Sequence, residues 1–237
     1  MKKGIYILPN SITLCGMFGG FFAIISALNG NFEYAAWAIV IAGICDGLDG
    51  TVARMTNTAS EFGVQFDSLS DVIAFGVAPA VVVYTWALAP FGRVGWVVAF
   101  LYTACGALRL ARFNIQKHST EKESFTGMPI PAAAGVVVST ILFYQHMGWE
   151  GLSSNYVLLT MIIISVLMVS TLRFHSFKEL NIKGRKPFLI LVLLVVFFAV
   201  FLMHPQWTLF LIGVLYLWGG VLENVFLVLS GRNKTAA

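Results

Sequence analysis

Residues 46–71 read DGLDGTVARMTNTASEFGVQFDSLSD, and this stretch decides the fold. Four carboxylates, Asp46, Asp49, Asp67 and Asp71, sit between runs otherwise suited to lipid, GIC before them and VIAFGVAP after. A carboxylate at mid-helix in a bilayer costs roughly 2.5–3.5 kcal/mol on insertion scales, so intramembrane acids face a polar interior and usually serve a function. Asp46 and Asp49 are spaced i, i+3 and Asp67 and Asp71 i, i+4, so each pair lies on one helix face. The polar residues 55–60 (MTNTAS) form the expected turn. An antiparallel hairpin folded there sets Asp46 level with Asp71 and Asp49 level with Asp67. At ~1.5 Å per residue the site lies roughly 13 Å along the helix, a polar pocket below the membrane surface. Four converging acids repel unless cations neutralise them. Hard oxygen donors without His or Cys select Mg²⁺ or Mn²⁺, with Ca²⁺ admissible, over zinc.

The rest of the chain agrees with a membrane setting. Its 237 residues are 58% hydrophobic and 11% charged, and the mean hydropathy is +0.84. Soluble domains average roughly 25% charged, so this composition reads as an integral membrane protein. Cys15, Cys45 and Cys105 fall in separate apolar runs and offer neither a disulfide framework nor metal-ligand spacing. No basic, aromatic-rich patch points to nucleic acid. Spans are expected near residues 10–28, 34–54, 64–87, 95–113, 130–148, 155–173, 187–203 and 207–229, each of membrane length. The expected fold is thus an all-α polytopic bundle of about eight transmembrane helices, a single integral domain over 1–237. The leading run carries no A-x-A-like cleavage site and reads as the first span rather than a signal peptide. With eight spans, fourteen of the fifteen Lys and Arg residues fall on the side of the termini, and Arg93 alone falls opposite. The positive-inside rule then places both termini and the acidic pocket on the cytoplasmic side of the cell membrane.

Small residues surround the acids. Gly47, Gly50, Ala53 and Gly63 leave room for a ligand or a neighbouring helix, and Arg54 supplies a cation at the span's end. Written out, the pattern is D-x2-D-G-x2-A-R-x8-G-x3-D-x3-D, from Asp46 through Asp49, Gly50, Ala53, Arg54, Gly63 and Asp67 to Asp71. This string resembles the signature of the CDP-alcohol phosphotransferases and matches it at every fixed position. Residues 8–13 (LPNSIT) resemble that family's lead into its first helix, although Asn10 would also serve as a plain helix cap. The stretches ALRLARFN (107–114) and SFTGMPIPAAAG (124–135) narrow the resemblance to the membrane-integral phosphatidylserine synthase branch.

The resemblance implies transfer of a phosphatidyl group from CDP-diacylglycerol to an alcohol, L-serine in this branch, with release of CMP. It implies two divalent cations, one on Asp46, Asp49 and Asp67, the other on Asp46, Asp67 and Asp71, with Asp71 also the general base. Gly50, Ala53, Arg54, Gly63, Asn10 and Thr13 are assigned by it to the CDP-lipid. A homodimer in the lipid bilayer is expected on the same basis. Arg109 and Arg112, i, i+3 at the end of the fourth span, together with Thr126, Gly127 and Pro129, are candidates for serine or phosphate; snorkelling to the interface is the plain alternative for the arginines. Glu223, beside Asn224 in the eighth span, reads as a protonated or paired structural acid, with a dimer contact or a lipid-head ligand as the functional alternative, and the scattered histidines read as interfacial residues.

Two other classes use intramembrane acids. A cation transporter would show inverted repeats and broken helices near the midplane, and the sequence shows neither. A prenyltransferase would hold two acidic clusters far apart in sequence, whereas here Asp49 and Asp67 are 18 residues apart. Within the family, glycerol phosphate, inositol phosphate and choline are rival acceptors, and an ether-linked archaeal lipid is a rival donor.

Overall fold

Apolar runs of membrane length become helices because the bilayer leaves a backbone amide no partner but its own chain. The computed structural model describes residues 7–56, 60–118, 127–148, 154–172 and 187–229, and no strand occurs among them. The helices are α1 (Ile7–Leu28), α2 (Phe32–Met55), α3 (Glu61–Phe91), α4 (Arg93–His118), α5 (Ile130–Met147), α6 (Ser154–Val169), α7 (Pro187–Met203) and α8 (Pro205–Leu229). Helices α1 and α2 form the most extensive pair, α3 lies against both, and α4 and α5 close the core from the other side of α3. Farther out, α6 packs on α4, α8 on α5, and α7 on α8. The exposed faces, such as Phe18, Phe22, Ile41, Phe100 and Leu191, are apolar and suit lipid contact.

Small residues set the helix spacing around α3. Ala23, Ala27, Ala35, Ala42, Ala74 and Ala78 are buried, and a Cβ on Gly20 would stand 2.6 Å from the Ala74 Cα. Backbones approach this closely in membranes because packing, rather than a hydrophobic drive, joins the helices. Helix α2 ends at Met55 and α3 begins at Glu61, on either side of the polar stretch read as the turn. Ser60 caps α3, its hydroxyl accepting from the Gly63 amide at 3.0 Å.

Helix α3 is interrupted twice, at Val72–Val77 and Tyr84–Leu88, by π-helical turns. Each lies just before a proline, Pro79 and Pro90. Proline has no N–H for the carbonyl four residues back, and its ring crowds that carbonyl. The neighbouring amides therefore reach one residue farther, Ala78 to the Ile73 carbonyl and Ala89 to the Tyr84 carbonyl. The Phe75 carbonyl, which Pro79 cannot bond, accepts instead from the Tyr102 hydroxyl at 3.1 Å. Next to it, the Thr103 hydroxyl donates to the Gly76 carbonyl at 3.3 Å.

The expected count of eight spans holds as an approximation. Among the described residues, five helices, α1 to α5, are long and apolar enough to cross a membrane, and α6 is apolar but shorter. Helices α7 and α8 were expected as two separate spans. Their axes bend by 116° at His204, so this pair is a broken span or a re-entrant loop, and with it the count reaches six. Pro205 opens α8 and fixes the break, since it cannot continue the ladder of α7. Multiple membrane-length helices make this a multi-pass membrane protein.

Candidate active site

The hairpin of α2 and α3 brings the acids together with α1 as the third wall. A narrow cleft is lined by Thr13 and Gly16 of α1, Ala42, Asp46 and Asp49 of α2, and Asp67, Ser70, Asp71, Ala74 and Phe75 of α3. Carboxylate oxygens of Asp46, Asp49 and Asp67 lie within 4.8 Å of one another. Opposed ligands on Mg²⁺ stand about 4.2 Å apart, and on Ca²⁺ about 5 Å, so this donor set fits one hard cation with small adjustment. Asp71 stands in side-chain hydrogen-bond contact with Asp46, with Asp67 and Asp49 beyond. Carboxylates this close call for a positive charge between them.

Asp49 is the most enclosed of these side chains, 5% exposed. Its Oδ2 accepts from the Thr13 hydroxyl at 2.6 Å. The Thr13 carbonyl in turn accepts from the Ser70 hydroxyl at 3.1 Å. One residue of α1 thus ties the acid-bearing segments of α2 and α3 together. A short bond to a carboxylate fixes which lone pair stays available, the usual service of a group behind a metal ligand.

The residues assigned to a CDP-lipid gather at the same end of the bundle. The Asn10 Oδ1 stands 3.4 Å from where a Gly63 Cβ would be, and Asn10 lies within α1 rather than capping it. Positions for a Cβ on Gly47 and Gly50 meet nothing within 4 Å, so that side of α2 is open. Ala53 is half-buried. Arg54 is exposed, and its Nε donates to the Gly50 carbonyl of its own helix at 2.9 Å. It stands at the rim.

The two arginines of α4 part company. Three hydrogen bonds bracket the antiparallel register of α3 and α4: Tyr102 to the Phe75 carbonyl, Thr103 to the Gly76 carbonyl, and Asn114 Nδ2 to the Ser68 hydroxyl at 2.8 Å. That register sets Arg109 level with Asp71, and Asp71 and Tyr216 are its ionisable neighbours. The guanidinium carbon lies 5.6 Å from the Phe113 ring centroid, and the buried Nε has no partner among the described residues. Arg112 is exposed. Three residues turn a helix through about 300°, which leaves the pair about 60° apart, enough to straddle the edge of the buried face. Gly127, at φ +87°, is held by its amide to the Leu172 carbonyl at 2.8 Å, and Met128 by its amide to the Leu167 carbonyl at 3.1 Å. A Cβ there would collide with the Met168 carbonyl. Gly127 and Met128 therefore dock the start of α5 on the end of α6, and neither Gly127 nor Pro129 is among the residues that line the cleft. Thr126 lies outside the described residues, as do the side chains of Glu223 and Asn224.

Ser70, Asn114 and Tyr216 are site neighbours that sequence reading did not single out. Asn114 closes the ALRLARFN stretch and Ser70 lies between two motif acids, so both had a signal. Tyr216 had none.

The family model for CDP-alcohol phosphatidyltransferase matches residues 6–172. A CDP-diacylglycerol–serine O-phosphatidyltransferase of Helicobacter pylori is 41% identical over 236 residues, covering 98% of either chain. One of Bacillus subtilis is 36% identical over 174 residues, 73% of this chain and 92% of the relative. An archaetidylserine synthase of Methanothermobacter thermautotrophicus is 37% identical over 169 residues, 70% of this chain and 69% of the relative. The acids in their cleft, the matched stretch and these relatives agree: the chain belongs to the CDP-alcohol phosphatidyltransferase family.

Proposed function

We propose that the protein is a phosphatidylserine synthase, transferring the phosphatidyl group of CDP-diacylglycerol to the hydroxyl of L-serine with release of CMP. The observation that carries the chemistry is the convergence of Asp46, Asp49, Asp67 and Asp71 on one cleft within a lipid-facing bundle. The acceptor rests on the relatives, since the bacterial and archaeal ones are both named for serine products. Asp46, Asp49 and Asp67 would hold one divalent cation and Asp46, Asp67 and Asp71 a second, Mg²⁺ or Mn²⁺ by donor type. Such ions neutralise a diphosphate and stabilise the departing phosphate.

The chain's own groups do the rest. Asp71 takes the proton of the serine hydroxyl as its oxygen bonds to the lipid-bearing phosphorus and the bond from that phosphorus to CMP breaks. Thr13 holds Asp49 in place. The open side of α2 at Gly47 and Gly50 admits the nucleotide, with Ala53, Gly63 and Asn10 around it and Arg54 at the rim. Arg109, level with Asp71, pairs with the serine carboxylate, and Arg112 adds positive potential outside. The acyl chains stay in lipid while serine and CMP exchange with water. The reading includes one catalytic unit over residues 1–237, a homodimer in the bilayer, and a cell-membrane setting with the acids toward the cytoplasm.

The archaetidylserine synthase relative favours one second reading, an ether-linked CDP-lipid as donor. Purified protein supplied with diacyl or ether-linked CDP-lipid and with serine or glycerol 3-phosphate decides both questions by CMP release. Serine-dependent release that stops with chelator and returns with Mg²⁺ or Mn²⁺ is the expected result. Release with glycerol 3-phosphate in preference to serine overturns the acceptor, and full activity without metal overturns the mechanism.

A further inference from the structure

Helix α3 carries two of the four acids on its inner portion, Glu61–Asp71, which ends where the first π turn begins. At about 100° per residue, Asp67 and Asp71 stand about 40° apart around that portion, and Ser68 and Ser70 stand about 80° to either side of their midline. Both serines reach a neighbouring helix. The Ser70 hydroxyl donates to the Thr13 carbonyl of α1 at 3.1 Å. On the opposite flank the Ser68 hydroxyl donates to the Val64 carbonyl of its own helix at 3.0 Å. Its lone pair is then free to accept from the Asn114 Nδ2 of α4, at 2.8 Å. The acids thus point out between two polar ties, one to α1 and one to α4.

Rotation of the helix is the motion these ties oppose. A side chain ends about 5–6 Å from the helix axis, so a turn of about 10° moves a carboxylate by about 1 Å. Metal ligands tolerate about 0.2 Å. Lipid on the exposed side, at Phe62 and Leu69, does little to fix the angle, because hydrocarbon meets an apolar face equally well at many rotations. Helix α4 also holds the far side of the π turn, through Tyr102 and Thr103. It therefore spans the interruption as a splint, with Asn114 as its inner fixing point.

We propose that Asn114 is a positioning residue for the acids of α3: acting through Ser68, it fixes the rotation of Glu61–Asp71 and so the aim of Asp67 and Asp71 into the cleft. The proposal rests on the reading of these acids as cation ligands and deepens it.

The test is Mn²⁺ binding to the purified full chain in lipid nanodiscs without substrate, read by electron paramagnetic resonance beside the melting temperature. The variants are Asn114→Leu, Ser68→Ala and the two combined. Each single variant is expected to raise the Mn²⁺ midpoint about two- to tenfold, the loss of one neutral hydrogen bond. The combined variant is expected to lose no more than the larger single loss, since both changes cut the same tie. An unchanged midpoint in Asn114→Leu overturns the proposal. So do losses that multiply in the combined variant, because Asn114 then acts by a route other than Ser68. A raised serine KM with an unchanged Mn²⁺ midpoint makes Asn114 an acceptor ligand and overturns it as well. If Asn114→Leu does not fold, Ser68→Ala decides with a smaller change: a raised midpoint at the wild-type melting temperature supports the tie, and an unchanged one overturns it. A wild type that binds no Mn²⁺ is a separate outcome, and it removes the cation reading itself.

Discussion

Replacing Thr13 by Val keeps the branched shape and removes the hydroxyl that bonds Asp49 at 2.6 Å. Thr13 is 6% exposed and Asp49 5%, so water cannot readily take the hydroxyl's place. A hydrogen bond to a charged group contributes roughly 1.5–3 kcal/mol. If that stabilisation serves to hold Asp49 ready for a cation, its loss weakens metal binding by about 10- to 150-fold, overlapping the 10- to 100-fold typical of groups behind metal ligands. The assay is CMP release titrated with Mn²⁺, paired with direct Mn²⁺ binding to lipid-free-substrate protein by electron paramagnetic resonance. The expected result is a metal-activation curve displaced to higher concentration, with the maximal rate largely recovered at saturating Mn²⁺. Thr13→Ser, which keeps the hydroxyl, is expected to restore most of the affinity. An unchanged Mn²⁺ midpoint in Thr13→Val, in a protein that melts at the wild-type temperature, refutes the coupling.

Three further outcomes follow from the same geometry. Asp46→Asn removes the acid shared by both proposed cations and is expected to lower activity by several orders of magnitude, whereas Asp71→Asn is expected to abolish turnover while leaving CDP-lipid binding partly intact; equal losses of binding in the two variants argue that Asp71 is only a ligand. Arg109→Ala is expected to raise the serine KM about 10- to 150-fold, the loss of one charge-assisted bond, and Arg112→Ala several-fold at most; equal effects from the exposed and the enclosed arginine contradict their placement. Gly20→Val sets a branched side chain where even a Cβ would lie 2.6 Å from the Ala74 Cα, and the strain of about 1–3 kcal/mol is expected as a lower melting temperature in detergent.

The acidic hairpin was legible because the two helix periods and one polar turn leave a single way to bring four aspartates level. Its convergence on one cleft follows that spacing; the cap that Ser60 supplies to α3 was not singled out. Thr13 was selected for its place in a motif, but its bond to Asp49 depends on how α1 crosses the hairpin, which spacing along one helix does not encode. Arg109 and Arg112 look equivalent in sequence, and only the edge of the buried face separates them. Gly127 was singled out for its company in a motif, and its positive φ goes with its contacts at the end of α6, which the motif does not encode. The bend between α7 and α8 was missed because two apolar runs flanking a proline have the same composition whether they reverse fully or by 116°.

The π turn that begins one residue past Asp71 has a mechanical consequence. A continuous α-helix carries rotation from end to end, whereas an inserted residue resets the angular phase and leaves the two portions free to settle against different neighbours. The inner portion of α3 takes its orientation from α1 through Ser70 and from α4 through Ser68, and the outer portion takes its own from α4 through the carbonyls that Tyr102 and Thr103 hold. A tilt of the outer portion with bilayer thickness is therefore expected to be taken up at this joint, leaving the aim of Asp67 and Asp71 unchanged. Manganese midpoints measured in nanodiscs of short- and long-chain lipid are expected to coincide for the wild type and to diverge for Pro79→Ala, which lets the helix regain a single phase; coincident midpoints in the variant would deny the joint this role.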